Sequence, residues 1–459
     1  MKDLFLIRHA KSSWTDQSLS DIDRPLNPRG RRQVEAMAHP LLDLGALDGP
    51  VHVSHALRAR QTMEGVLERL GDHTLVSRVH FDPDLYTFRW KQLYRWLKHH
   101  ASEESALTLV GHNPALSDLA EALTGAEVPD MVTGAVLHLR IPVDAWDALK
   151  KGQAEFVRYL PPKHASYRLF RRKAPNPPAA VESLKKQVPQ SLQYQLAMIR
   201  DLQPGVVAGT DPEFLHQFRV NLRRSRALTE ALVDITSDPS LHDLARPLRR
   251  MTRQTGALRD LDVFLLYLDG KASEDPRLRR SLRASGAGDF FRDWRWREHH
   301  QLLAQLDSKS WRKGLQAWEN AITGKALARA LKKATPGAIH DTIRQRAAQC
   351  LHDFGTLHAQ SPDDDFHDLR KALKRLRYLA ELNAGHYRAL LEALKVQQSL
   401  YGSFQDRHQQ LSLLAVLAQG RRRQQLPPAV GELAERIAVE KQAAREAILS
   451  NPPRIEGNQ

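Results

Sequence analysis

The order of apolar and polar positions divides the chain into two styles of folding. Up to about residue 170, short β-rich runs (Asp3 to Ile7, Val51 to Ser54, Thr108 to Val110, Val136 to Ile141) alternate with stretches such as Gly30 to Leu44 and Pro114 to Leu123, where apolar residues recur at helical spacing. That alternation predicts an α/β domain built on an open, mostly parallel sheet. Further along, nearly every stretch is long, charged and helix-periodic, with leucine and alanine on one face. Breaks come at Asp211-Pro212, Asp238-Pro239 and Thr335-Pro336-Gly337. This half predicts an all-α domain. Between the two lies Ala174-Pro175-Asn176-Pro177-Pro178-Ala179-Ala180, whose three prolines suit neither a helix interior nor a central strand. The expected organisation is therefore an α/β domain over 1–170, a Pro-rich linker over 171–182, a basic helical domain over 183–445 and a C-terminal tail over 446–459.

The helical half repeats itself. His216, Arg219, Arg223, Arg224 and Arg226 recur at identical offsets as His367, Arg370, Lys374, Arg375 and Arg377. A second landmark follows each block: Gly256 to Asp260, with Arg259 and Asp262 beside it, and Gly402 to Asp406. Two related helical halves are the natural expectation. Within a block, the first, second, third and fifth positions lie three or four apart, so they share one helix face. Like charges at that spacing destabilise a helix by about 0.2–0.5 kcal/mol per pair, and here the arrangement occurs twice. A solvated face or basic stems covering apolar surface is the plain alternative.

Charge sharpens the division. Residues 1–170 carry 21 Lys and Arg against 21 Asp and Glu, so the whole net charge of +15 lies beyond residue 170. The helical domain is thus the part expected to meet a polyanion, whereas the α/β domain needs only a local site. The single cysteine, Cys350, excludes an intramolecular disulfide and a cysteine-rich metal site. The longest apolar stretches, such as Leu411 to Ala418, fall short of the ~20 residues of a spanning helix, and no export signal is visible at the N-terminus. The expectation is a cytoplasmic protein without membrane association.

Candidate chemistry sits at the predicted strand ends. Arg8 and His9 follow Leu4 to Ile7, His112 follows Leu107 to Val110, and Arg58 lies one helical turn beyond the strand ending at Ser54. In open parallel sheets, sites form beyond the carboxyl ends of strands, so two His and two Arg should meet in one crevice. Such a pocket suits a phosphoryl group, with one imidazole attacking phosphorus and the other groups neutralising its oxygens. Asp84 and Asp23 are weaker candidates for a proton donor or for orienting an arginine, with loop and capping roles as the alternative.

The segments Leu6-Ile7-Arg8-His9-Ala10-Lys11, Asp23-Arg24-Pro25-Leu26, Gly30, Ser54-x-x-x-Arg58-x-x-Gln61-Thr62 and Gly111-His112-Asn113-Pro114 resemble the histidine phosphatase superfamily, specifically its short SixA-type phosphohistidine phosphatase branch. The resemblance implies His9 as nucleophile and Arg8, Arg58 and His112 as the phosphate pocket. Larger members place a glutamate after the third strand as general acid, whereas this chain reads Pro83-Asp84-Leu85-Tyr86. An alkoxide leaving group needs a positioned acid more than an imidazole does, so the departure favours phosphohistidine, above all on a protein, over sugar phosphates, and the expected substrate partner is a phosphorylated protein or a small phosphate.

The two basic blocks and Arg259-Asp260-x-Asp262 resemble the CHAD domain, the conserved histidine α-helical domain, whose members bind inorganic polyphosphate. That resemblance implies polyphosphate as partner, through His216, Arg219, Arg223, Arg224, Arg226, His367, Arg370, Lys374, Arg375 and Arg377, and association with polyphosphate granules. A polyphosphate scaffold whose phosphatase is secondary, or acts on polymer ends, is the alternative. Nucleic acid is the competing ligand, but single-strand grooves interleave stacking aromatics with basic groups, and the blocks hold only Phe218 and Tyr378. Trp294-Arg295-Trp296-Arg297 does interleave them and is expected to be core packing. The pairs His99-His100 and His299-His300 are expected to be surface histidines; no metal and no cofactor is called for.

Overall fold

The computed structural model describes residues 1–99, 104–176, 183–420 and 426–455, together with all but five side chains between 239 and 244. His100, most of the proline-rich segment and the end of the C-terminal tail lie outside the described residues. Two compact units emerge: Met1–Arg172 with Gln203–Phe214, and Lys173–Leu202 with Leu215–Gln459.

The first unit is a six-stranded mixed sheet, β1 Lys2–Arg8, β2 Val51–Ser54, β3 Val79–Asp82, β4 Ala106–Gly111, β5 Val136–Ile141 and β6 Glu155–Leu160, in the order β3-β2-β4-β1-β5-β6. β3, β2, β4 and β1 are parallel, while β5 pairs antiparallel with β1 and β6 antiparallel with β5. The strands foreseen from apolar runs are present. β3 and β6 lie outside those apolar runs, because His80 and Asp82 in β3 and Glu155 and Arg158 in β6 interrupt their apolar residues. Strand periodicity of two sorts the core into two layers. Leu4, Leu6, Leu107, Leu109, Leu137 and Leu139 face one cluster with Leu97, Leu116 and Leu119, whereas Phe5, Ile7, Val51, Val53 and Val110 face another with Met37, Leu41 and Met63. Helices α1 Pro28–Asp43 and α2 Leu57–Leu70 therefore cover one face of the sheet, and α3 Trp90–His99 and α4 Ala115–Thr124 the other.

α1 starts where sequence chemistry says it should. The Asn27 side chain accepts from the Gly30 amide at 2.9 Å and Pro28 occupies the first turn. Gly30 is required by close approach, since a Cβ there would stand 2.2 Å from the Lys11 carbonyl oxygen. That contact anchors the chain just after His9. The residues 203–214 belong with this unit because Phe214 sets its ring edge-on to Tyr167 and Phe170, and the Asp211 carboxylate accepts from the Tyr167 amide at 2.8 Å. The boundary is thus not the single cut near residue 171 that the proline run suggests, because burial of these rings outweighs chain order.

The second unit is helical throughout its described residues. The first basic block lies on the helix Pro212–Thr236 and the second on Asp363–Ala380. Their landmark partners lie on Gly256–Glu274 and Arg388–Gln419. Those two helices, from different halves, share one core: Leu261, Phe264, Leu265 and Leu268 pack with Leu413, Leu414 and Leu417, and with Val430, Leu433 and Ile437 of Pro428–Leu449. That last helix runs past residue 445, and Ile448 and Ile455 beyond it are fully buried, so much of the stretch expected as a tail is packed.

Candidate active site and polyanion groove

At the carboxyl ends of β1, β2 and β4 the structure brings His9, Arg58 and His112 together. His9 Nδ1 donates to the Ala10 carbonyl at 2.7 Å, which fixes the tautomer and leaves Nε2 unprotonated, as an acceptor. Arg58 Nε donates to that Nε2 at 3.2 Å. Arg58 Nη2 lies 3.3 Å from His112 Nδ1, while His112 Nε2 donates to Ser54 Oγ at 2.8 Å. Both rings are thereby held neutral, with centroids 5.0 Å apart. Burial, together with the Arg58, Arg8 and Arg24 charges, pushes His9 down to about 3. Burial, then neighbouring His9 and Arg58, pushes His112 down to about 2. Thr62 Oγ1 accepts from the Ala10 amide at 3.0 Å and donates to the Arg58 carbonyl at 2.6 Å, tying the two motifs into one frame.

Arg8 sits at the same strand end as His9, and its Nη1 donates to the Met131 carbonyl at 2.5 Å. Burial lowers its pKa against the attraction of Asp130. Of the two suggested carboxylates, Asp84 is exposed and its amide is capped by Asp82 Oδ1 at 2.8 Å, while Asp23 accepts from Ser20 Oγ at 2.6 Å. Neither is among the described contacts of His9, Arg58 or His112. The carboxylate that sequence reasoning missed is Asp21. It accepts from Arg58 Nη2 at 2.8 Å, Tyr86 OH at 2.8 Å and Arg24 Nη1 at 2.7 Å, and its carbonyl accepts from Arg58 Nη1. Burial raises its pKa, but hydrogen bonds from Tyr86 and Arg58 and the charges of Arg58 and Arg24 outweigh that and hold it below the usual carboxylate range. Asp21 is therefore an ionised brace for Arg58. Its only sequence signal was its place two residues before Asp23, in a loop where any carboxylate could be a cap.

In the helical unit, a groove of about 630 Å³ is lined by both basic blocks: Arg219, Arg223 and Arg226 from one, His367, Arg370, Lys374 and Arg375 from the other. Asp260 and Asp406, the two landmark carboxylates, line it as well. Arg219 is tied down, its Nη1 donating to the Thr252 carbonyl at 3.0 Å and Thr255 Oγ1 at 2.7 Å, and burial lowers it to about 10. Lys374 falls to about 7 through burial and the charges of Arg223 and Arg370. Asp260 and Asp406 are both raised, by burial first and by each other in the case of Asp260.

Three residues of the blocks are placed differently. His216 and Arg224 are not among the groove's lining residues, and Arg377 turns to Glu381, at 2.8 Å, and to Gln398. Arg375 lines the groove instead of Arg377, because the second helix presents a slightly rotated face. The tryptophan motif also splits: Trp294 packs against the core beside Leu261 and Phe264, whereas Trp296 is 60% exposed and overlies His300. His299, expected at the surface, is buried. No helix among the described residues is long and apolar enough to cross a membrane.

Comparison with known proteins agrees with this division. A family model for the histidine phosphatase superfamily (branch 1) matches residues 4–106, and one for the CHAD domain matches residues 190–415. An uncharacterized chloroplastic protein of Arabidopsis thaliana is 31% identical over 141 residues, 29% of this chain and 64% of the plant protein. An uncharacterized protein of Picosynechococcus is 32% identical over 139 residues, 30% of this chain and 79% of its relative. Among solved structures, the protein histidine phosphatase SixA complexed with tungstate is 23% identical over 36% of this chain and 99% of its own, with a TM-score of 0.31. The CHAD domain from the plant Ricinus communis is 21% identical over 62% of this chain and 93% of its own, with a TM-score of 0.44.

Proposed function

We propose that this chain, whose residues 4–106 match the histidine phosphatase superfamily (branch 1) and whose residues 190–415 match the CHAD domain, hydrolyses phosphohistidine through a phosphohistidine intermediate and binds inorganic polyphosphate through its helical unit. The observation that supports the first part is the orientation of His9: its Nδ1–H is committed to the Ala10 carbonyl, so Nε2 is unprotonated at neutral pH, and its lone pair, which accepts from Arg58 Nε at 3.2 Å, passes to phosphorus as that guanidinium turns to the phosphoryl oxygens. That nitrogen forms a bond to phosphorus as the substrate's P–N bond breaks. The electron pair of the broken bond stays on the departing imidazole, which leaves neutral when its other nitrogen carries a proton. Arg8 and Arg58 stabilise the equatorial oxygens. A dianion in the pocket also supplies the charge that favours protonation of His112, turning Nδ1 into a donor. Water then adds its oxygen to phosphorus, the bond to His9 breaks, and phosphate leaves as the proton passes to solvent.

The leaving-group reading rests on Asp21 and Asp84. The first is ionised and engaged, and the second is exposed, so the pocket suits a leaving group that needs no strong acid. A quench of wild type under alkaline conditions should retain phosphate on His9, and His9→Ala should lose turnover of phosphohistidine. Undiminished turnover in that variant would overturn the mechanism.

For the helical unit, support comes from the convergence of both basic blocks on one groove. Charge spread over several side chains of two helices suits a chain of phosphates more than a single one. A specific feature favours a second reading: Tyr267 and Tyr378 also line the groove and could stack on bases. Titration of the full chain with long-chain polyphosphate, challenged by single-stranded RNA at equal phosphate concentration, separates the two. Effective displacement by RNA would assign the groove to nucleic acid.

A further inference from the structure

Two large aromatic rings, Phe88 and Trp14, stand exposed near the proposed phosphoryl pocket, and the residues of the proposed mechanism leave both unused. Phe88 is 47% exposed, yet its ring lies 5.5 Å from that of buried His112 and 5.8 Å from that of Tyr86. Tyr86 in turn meets His112 edge-on at 5.4 Å and donates its hydroxyl to Asp21. Across the Asp21 brace, Trp14 is 69% exposed and lies flat on the Arg24 guanidinium, 3.2 Å from it, while Arg24 bonds to Asp21. The loops on either side of Asp21 and Arg58 thus each end in an uncovered aromatic surface. Such apolar surface is unfavourable in water.

In-line displacement says what can cover it. In-line attack by buried His9 Nε2 directs the breaking bond away from that nitrogen, and the rings of Tyr86 and Phe88 lie against His112, whose own ring is 5.0 Å from that of His9. We propose that Phe88, backed by Tyr86, forms the leaving-group subsite and selects a flat aromatic ring, the imidazole of a phosphohistidine. The inference rests on the phosphatase reading above and deepens it. Ring centroids 4.5–7 Å apart in edge-on or offset geometry are the favoured aromatic contact, and the separations among His112, Tyr86 and Phe88 already fall in that range. An incoming imidazole extends the series by one ring. Phe88 is then a specificity-determining residue that acts on the departing group and leaves the phosphoryl oxygens to the arginines.

The test compares two substrates with the same kind of breaking bond, one carrying a ring: phosphoimidazole and phosphoramidate. With the full chain, the ratio of kcat/KM for phosphoimidazole over phosphoramidate should fall roughly five- to tenfold in Phe88→Ala, the scale of one aromatic pair. Phe88→Leu should remain impaired, because it restores apolar area without a ring face, and Phe88→Trp should recover the preference. A ratio unchanged in Phe88→Ala, or restored equally by leucine, would overturn the subsite. If instead neither substrate is turned over in a His9-dependent way, it is the phosphatase reading that fails. Thermal melting of each variant guards against a folding defect, which an exposed position should not produce.

Discussion

Both units gather cations, but they hold them by opposite means. In the α/β unit, strand ends fix the positions and nearly every donor is spoken for: Arg58 alone bonds to His9, His112 and Asp21. In the helical unit, the positions come from three- and four-residue spacing, and burial among like charges is what marks them, as with Lys374 lowered to about 7 and Arg370 lowered by burial and Arg223. A pocket whose donors are locked in advance is suited to one tetrahedral group whose charge shifts during reaction. A groove whose cations repel one another until an anion arrives is suited to equilibrium binding of many charges. The difference teaches where each site should be sensitive: the pocket to geometry, the groove to charge count, salt and pH.

The pocket should break most sharply at Arg58. Arg58→Ala removes the donor to His9 Nε2 and the link to His112 together, and kcat/KM should drop about 10²–10³-fold, the usual loss for one positioned electrostatic donor. Arg58→Lys should recover little of it, since an ammonium cannot bridge two rings and Asp21 at once. A loss below tenfold in Arg58→Ala, read by steady-state kinetics, would mean that the observed frame is not the reacting one.

The groove should respond in the salt dependence more than in any single affinity. Replacing Arg223, Arg370 and Lys374 together by Ala should weaken polyphosphate binding at least tenfold. By analogy with single-stranded polyanions, the slope of log affinity against log salt should flatten by up to about two. Arg219 is left in place, because it holds the Thr252 carbonyl and Thr255 hydroxyl and its loss would confound charge with stability. Circular dichroism should show no loss of helix, since the changes relieve like-charge pairs and introduce a strong helix former. An unaltered slope would move the polyanion site elsewhere.

How far these sites were legible in the sequence follows the same contrast. His9, Arg8, Arg58 and His112 could be located because a strand end is marked by where an apolar run stops, and the structure sets His9, Arg58 and His112 in mutual contact. The groove was legible through the repeat, but a helix face drifts with small rotations. Arg375 could therefore not be told from Arg377, nor His216 recognised as lying off the lining. Asp21, Ser54 and the exposed rings of Trp14 and Phe88 were silent, since loop residues owe their roles to loop paths that periodicity does not encode. β3 and β6 escaped for the matching reason that edge strands carry exposed faces. Trp296 and His299 exchanged their expected environments, because adjacent positions on a helix differ by 100° and composition alone cannot say which faces inward.

Asp21 offers a smaller but more discriminating break. Asp21→Asn keeps one acceptor oxygen in place of the two that Arg24 and the Tyr86–Arg58 pair use, and removes the charge that engages Arg58. Two effects of opposite sign should appear. With Arg58 less firmly oriented, kcat should fall about tenfold, while inhibition by inorganic phosphate should strengthen several-fold, because the competing carboxylate is gone. A purely structural role would weaken both. Asp84→Asn is the control: exposed and outside the described contacts of the pocket, it should stay within about twofold of wild type, and a hundredfold loss would restore it as the general acid.

The smallest effect concerns proton uptake at Lys374. In the empty groove this amine titrates at about 7, lowered by burial, Arg223 and Arg370 against the opposing pull of Asp406. Bound polyanion favours the charged form and so raises its pKa. Below about pH 7 the amine is protonated free and bound, and affinity owes nothing to pH through this group. Above it, binding must draw in a proton, so affinity falls as pH rises, by at most tenfold per unit, until the bound pKa is passed. His367, Asp260 and Asp406 face the same space, and protonation of any of them would also favour the anion at lower pH, so the direction alone does not single out the lysine. Lys374→Arg does. A guanidinium keeps its charge throughout this range, and polyphosphate titrations from about pH 6 to 9 should lose the step that wild type shows. If the step survives in Lys374→Arg, the titrating group is another member of the groove and the electrostatic account of Lys374 is wrong.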